Sequence, residues 1–258
     1  MQATDRFTEL VQRPDDAIPL DEAALLIAAH DHPVEVATEL AALDGLAAAV
    51  PPGSDGAGLA RHLFRDLGYA GNSVDYGDPR NSYLDVVRVR RLGIPITLSV
   101  LMLEVGRRIG LDLHGVGMPG HFLVGDGREV FYDPFHEGAV LDAAGCRELF
   151  AAARGAAAPF RPEYLAPVPT TAILSRMLAN LVHAFLQRDP PAAVWALRLR
   201  VRVPGLPARE RRQAAGLLGT LGRFAEAATL LDSIAAESDD EDARRAERDA
   251  AYLRSRAN

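Results

Sequence analysis

The sequence predicts an α+β fold: a central helix packed on an antiparallel sheet, with helices before it and a helical tail after it. Three observations predict this. From Pro95 onward Leu98, Leu101, Met102, Val105 and Ile109 recur at three- and four-residue steps, the period of a buried helix face. Beyond Gly110 come three short β-prone runs, Leu111 to Met118, His121 to Val124 and Glu129 to Tyr132. The flanking regions show helical periodicity broken by stretches rich in proline and glycine.

Residues 1 to 70 read as an N-terminal helical layer. Pro19-Leu20-Asp21-Glu22 opens a helix through Leu25, Leu26 and Ile27, and Pro33-Val34-Glu35 opens another carrying Val36, Leu40 and Leu43. After the break at Pro51 to Gly56, Leu59, Leu63, Phe64 and Leu67 form a third face that Gly68 ends. Tyr76 to Tyr83 is rich in turn formers and leads into a helix carrying Arg88, for which Asn81 or Ser82 reads as the cap. Pro95 suits the first turn of the central helix, where a missing N–H costs nothing, and Gly110 closes it in the left-handed region.

Gly125-Asp126-Gly127-Arg128 joins the second and third β runs as a hairpin. With Asp126-Gly127 as the turn, His121 falls opposite Tyr132, and a one-residue bulge would set it opposite Asp133. Leu141 to Phe150 reads as a helix after the last strand, with Cys146 as a small apolar packer. Gly155 to Thr171 holds four prolines and predicts a boundary between a domain over 1–158 and a helical region over 170–258. Within that region, residues 188–197 align with 222–231 at an offset of 34, the tetratricopeptide period, with Ala193 and Ala227 at the position of close helix approach. Leu217 to Phe224 reads as the turn between paired helices, and residues 237–258 as a solvated terminal helix.

A chain of 258 residues makes one large domain or two modest ones. The net charge of −7 and pI near 5.5 argue against a nucleic-acid partner, which calls for a basic face. All 28 basic residues are arginine, and in an acidic chain the cluster Arg88, Arg90 and Arg91 is expected to pair with carboxylates. One cysteine allows no intrachain disulfide, and neither a signal peptide nor a membrane-length apolar run is visible, so the expectation is a cytoplasmic protein without a membrane partner.

The blocks NSYLDVVRVRRLGIPITLSVLMLEVGRRIGL, GVGMPGHFLV and FYDPF resemble the transglutaminase-like superfamily, and within it the SirB subgroup. The resemblance implies a papain-like site, in which a cysteine at a helix N-terminus attacks a carbonyl, a histidine acts as base and an aspartate orients it. Laid on this chain, the family pattern puts its glycines at Gly93 and Gly110, its histidine at His121 and its Asp-Pro at Asp133-Pro134. The cysteine position falls on Pro95, which has no side-chain nucleophile.

His121 and Asp133 are therefore expected as a retained pair, with Asn81, Tyr83, Pro95, Thr97, Ser99 and Gly120 lining the cleft. The function this implies is a non-catalytic module that binds a protein or peptide, with no cofactor and no metal. An alternative is an amide or acyl hydrolase or transferase using Ser99, Thr97 or a water activated by His121. A metal-dependent hydrolase using His121, Asp133 and His136 is a further alternative, although their spacing matches no zinc motif. Thr97 reads as a local hydrogen-bonding residue. Among the other histidines, His30 and His32 read as a solvated helix end, His62 and His183 as partly buried core residues, and His114 as a strand residue.

Overall fold

Helix α6 (Pro95–Arg108) is buried from Pro95 to Gly106, on all its faces and not on one. In the computed structural model, which describes residues 3–257, helices and a sheet enclose it. Pro95 occupies the first helical position after extended Ile94. At the other end Gly110 takes φ +81°, and the Leu111 N–H donates to the Gly106 carbonyl at 2.9 Å. That pair of features is a glycine-terminated helix end, as the sequence predicts.

The N-terminal layer is α1 (Ala3–Val11), α2 (Leu20–Ala28), α3 (Val36–Ala48) and α4 (Gly56–Arg61), the last running on through a π-helical turn to Gly68. Between this layer and α6 lie a short parallel pair, β1 (Ala70–Gly71) with β2 (Leu92–Gly93), and helix α5 (Leu84–Arg90). Phe7, Leu25, Ile27, Leu43, Leu59 and Leu63 join Leu98, Leu101 and Met102 in one apolar core. Burial of this kind contributes about 25 cal/mol for each Å² removed from water.

The sheet is an antiparallel meander in the order β3 (His114–Val116), β4 (Leu123–Gly125), β5 (Phe131–Asp133) and β6 (Ala139–Leu141). Its register differs from the predicted one by three residues, because Val124 lies opposite Tyr132 and Gly125 opposite Phe131. The loop is wider than a two-residue turn: the Asp126 N–H donates to the Val130 carbonyl, and both Gly127 and Glu129 take positive φ. His121 thus precedes β4 and reaches Asp133 without pairing across the ladder. Strand β6 is three residues of weak pattern and was not separable from its turn in the sequence.

Helix α7 (Ala143–Arg154), capped by Asp142, closes a second apolar cluster on the sheet that includes Val116, Phe131, Cys146 and Phe150. Cys146 is a fully buried packer there, as expected. The tail consists of α8 (Thr170–Arg188), α9 (Ala193–Arg200), α10 (Ala208–Thr220), α11 (Phe224–Glu237) and α12 (Asp240–Ala257). Asp15 accepts the Thr170 and Thr171 amides, and Leu174, Met177 and Leu178 of α8 enter the main core.

Ala193 and Ala227 are fully buried, and residues 221–223 turn α10 into α11. At the 34-residue offset, however, α9 has 8 residues and α11 has 14, so the aligned helices differ in length. Helix α12 is not simply solvated, because Ala246 and Ala250 are fully buried in a cluster with Leu231 and Ile234. His183, expected in the core, is exposed on α8. Among the described residues no helix is long and apolar enough to cross a membrane.

Candidate functional site

Asp133 ends β5, and Pro134 prevents the strand from continuing. Its Oδ1 accepts the Phe135 N–H at 3.0 Å and the His136 N–H at 3.3 Å, which fixes the carboxylate over the following turn. The same Oδ1 lies 2.8 Å from His121 Nε2, and Oδ2 lies 2.7 Å from His136 Nδ1. Asp133 and His121 are buried, whereas the His136 side chain is 55% exposed. Burial, the largest single influence, pushes the Asp133 carboxyl up. Hydrogen bonds and charge attraction from His121 and then His136 outweigh it, so the net shift is downward.

His121 is delivered by a turn in which its N–H donates to the Met118 carbonyl and Gly120 takes φ +87°. From α8, Arg176 donates to the carbonyls of Met118 at 3.1 Å and His121 at 2.7 Å, and its guanidinium covers the Phe122 ring. The backbone of the histidine is therefore held from the tail, by a residue the sequence reading passed over.

Three more aromatic rings follow His121. It stacks on His136 at 5.5 Å and meets Phe135 edge-on at 6.1 Å, and Phe135 meets half-exposed Tyr76 at 6.0 Å. A Cβ on Gly71 would lie 2.4 Å from the Phe135 ring, so only glycine fits beneath it. Gly71 pairs with Gly93, two residues before Pro95. The start of α6 and the His121 group thus approach each other across Gly93, Gly71 and Phe135.

Asn81 is fully buried but caps no helix, since Tyr83 is the N-cap residue of α5 and no side-chain cap bond is made there. Its Oδ1 accepts from Asn72 Nδ2, and its Nδ2 donates to the carbonyls of Asp75 and Tyr76. It organises the loop that presents Tyr76. Tyr83 is buried and packs edge-on to His32. Thr97 and Ser99 are fully buried with hydroxyls that have no hydrogen-bond partner, so Thr97 is not the local hydrogen-bonding residue expected. Pro95 is buried, and Gly120 is exposed.

His30 and His32 depart from expectation as well, whereas His62 is partly buried and His114 lies on β3, as expected. His30 lies between the Leu26 carbonyl at 2.7 Å and the Thr4 hydroxyl at 2.9 Å, and stacks on Trp195 at 5.6 Å. His32 bonds to Asp85 at 2.7 Å. Neither is a solvated helix end. Arg88 pairs with Glu39 and Arg90 with Asp78, as expected, while Arg91 donates to the Leu67 carbonyl.

The family model described as the transglutaminase-like superfamily matches residues 35–179, more than half of the chain. The chain belongs to that superfamily. It is 45% identical over 159 residues to a UPF0162 protein of Xylella fastidiosa, covering 58% of this chain and 57% of the relative. The chain therefore matches just over half the length of that relative. A UPF0162 protein of Pseudomonas aeruginosa is 30% identical over 209 residues, 77% of each chain. Human F-box only protein 21 is 32% identical over 131 residues, 46% of this chain and 20% of that protein. No solved structure matches.

Proposed function

We propose that this transglutaminase-like chain is a binding and regulatory module for a protein or peptide, without acyl-transfer chemistry of the cysteine type. One observation supports the reading above others: Thr97, Ser99 and Cys146, the side chains weighed as replacement nucleophiles, are all buried. By resemblance Pro95 stands in the cysteine position, and it has no attacking atom. Thr97 and Ser99 are sealed inside α6. Cys146 is sealed in the second core, where burial pushes its thiol up to about 11, so little thiolate forms at neutral pH.

What the site does offer is a row of rings, Tyr76, Phe135 and His136, beside the buried His121–Asp133 pair. Rings with one apolar side and one polar edge suit recognition of a peptide segment. On this reading the protein acts in the cytoplasm, the SirB-type region over 1–158 carries the cleft, and the tetratricopeptide-like helices over 170–258 extend its partner surface.

The test has two arms. The protein is challenged with an amide and ester panel and with acylating probes read by intact mass, and partners are captured from the native host by wild type and by His121→Ala/Asp133→Ala. The expected result is no adduct, no turnover that depends on His121, and a partner captured by wild type but lost from the double variant. An adduct on any cleft side chain, or hydrolysis abolished by His121→Ala, would overturn the proposal.

A further inference from the structure

Among the described residues four carboxylates are buried: Asp21, Asp78, Glu104 and Asp133. Three of them carry arginine. Asp21 and Glu104 share Arg107 and Arg108, and Asp78 takes Arg80 and Arg90. Asp133, the least exposed of the four at 2%, carries none. Its side-chain partners are the two imidazoles of His121 and His136. A neutral imidazole gives a hydrogen bond but no net charge, so this anion alone lacks a permanent cation.

We propose that His121, Asp133 and His136 bind one divalent transition cation of the zinc class. The ligand atoms, one from each residue, lie within 4.8 Å of one another. Two imidazole nitrogens and one carboxylate oxygen suit zinc or cobalt, whereas magnesium and calcium prefer oxygen throughout. The support around the ligands is of the kind that metal sites use. Two backbone amides orient the Asp133 carboxylate, and Arg176 holds the backbone of His121. Exposed His136 gives a cation its path from solvent and leaves a fourth position for water or a donor atom from a partner.

The sequence favours no metal and keeps a metal-dependent use of His121, Asp133 and His136 as its last alternative. Asp133 and His136 are three apart in a turn and His121 lies twelve residues earlier, a spacing that no zinc motif describes. The inference goes beyond the binding role, because a cation can be held whether or not the cleft takes a peptide.

The test uses the full chain without a histidine tag, stripped with chelator and titrated with zinc by calorimetry and with cobalt by visible absorption. Expected are one equivalent of either ion, a tetrahedral-type cobalt spectrum, and no displacement by about a hundredfold excess of magnesium. His136→Ala, at an exposed position where folding is checked by circular dichroism, is expected to weaken zinc by about tenfold or more, and His136→Cys to restore it. Well under one equivalent in wild type, or equal zinc affinity in wild type, His136→Ala and Asp133→Asn, would overturn the proposal and mean adventitious binding at surface histidines. These readouts involve neither partner nor substrate, so their failure is separable from failure of the binding role.

Discussion

Two of the buried carboxylate sites among the described residues are neutralised in different ways. Where α2 meets the second half of α6, Asp21 and Glu104 lie under Arg107 and Arg108, with contacts from 2.7 to 3.2 Å. At the end of β5, Asp133 has only imidazoles and amides. Guanidinium keeps its charge at every physiological pH and fills a carboxylate bidentately, so the first group is a finished structural clasp. Imidazole can lose a proton, donate or accept, and ligate, so the second group keeps exchangeable chemistry. The difference separates a part that holds the fold from a part that can respond to a ligand.

The sharpest way to break this comparison is to remove the guanidinium from the clasp. Arg108→Met leaves Asp21 and Glu104 short of their least exposed cation, and the expected loss is about 3–5 kcal/mol in chemical denaturation. An effect within experimental error would mean that Arg107 alone suffices. Asp133→Ala comes next. It strips hydrogen bonds from His121 and from the turn amides, and about 1–3 kcal/mol is expected. A loss as large as that of Arg108→Met would make Asp133 equally structural.

Acid titration then contrasts Asp133 with Glu104, whose shifts have opposite signs, whereas Asp21 beside Glu104 is shifted downward as Asp133 is. Asp133 is held below its ordinary value of 3.8, so it binds fewer protons folded than unfolded. Its contribution is complete above that value and is lost as pH falls through the lower folded one. Glu104 is raised above 4.5, by burial first and by Asp21 second, so the folded state holds its proton more tightly and acidification favours the fold there. The rise of denaturation midpoints with pH should flatten for Asp133→Asn in the range below its ordinary 3.8 and steepen for Glu104→Gln in the range above its ordinary 4.5. Identical slopes in both variants would remove the distinction. The smallest effect belongs to His136→Ala, which at a largely exposed position should change stability by no more than about 0.5 kcal/mol.

The central helix and the N-terminal layer were legible because periodicity and the Pro95 and Gly110 boundary signals act within a few residues. The hairpin register was not. It depends on positive φ at Glu129, a residue with no turn preference, and on the Asp126 carboxylate bonding two amides. The pairing of His121 with Asp133 follows from motif resemblance, whereas the strand register that would set them opposite each other is two residues away from the observed one. Asn81 looked like a cap because its sequence neighbourhood is that of a helix start, and its true partners, Asn72 and the Asp75 and Tyr76 carbonyls, are set by loop closure. In α12 the charges masked two buried alanines, a spacing too sparse to register as an apolar face.

Arg176 ties the loop of His121 to a helix that begins some fifty residues further along the chain. The two halves therefore cannot be traded freely. A chimaera that takes its last five helices from a relative would keep an ordered histidine only if the incoming first helix brought a guanidinium to the same height. Residue 176 is the compatibility check for any such graft.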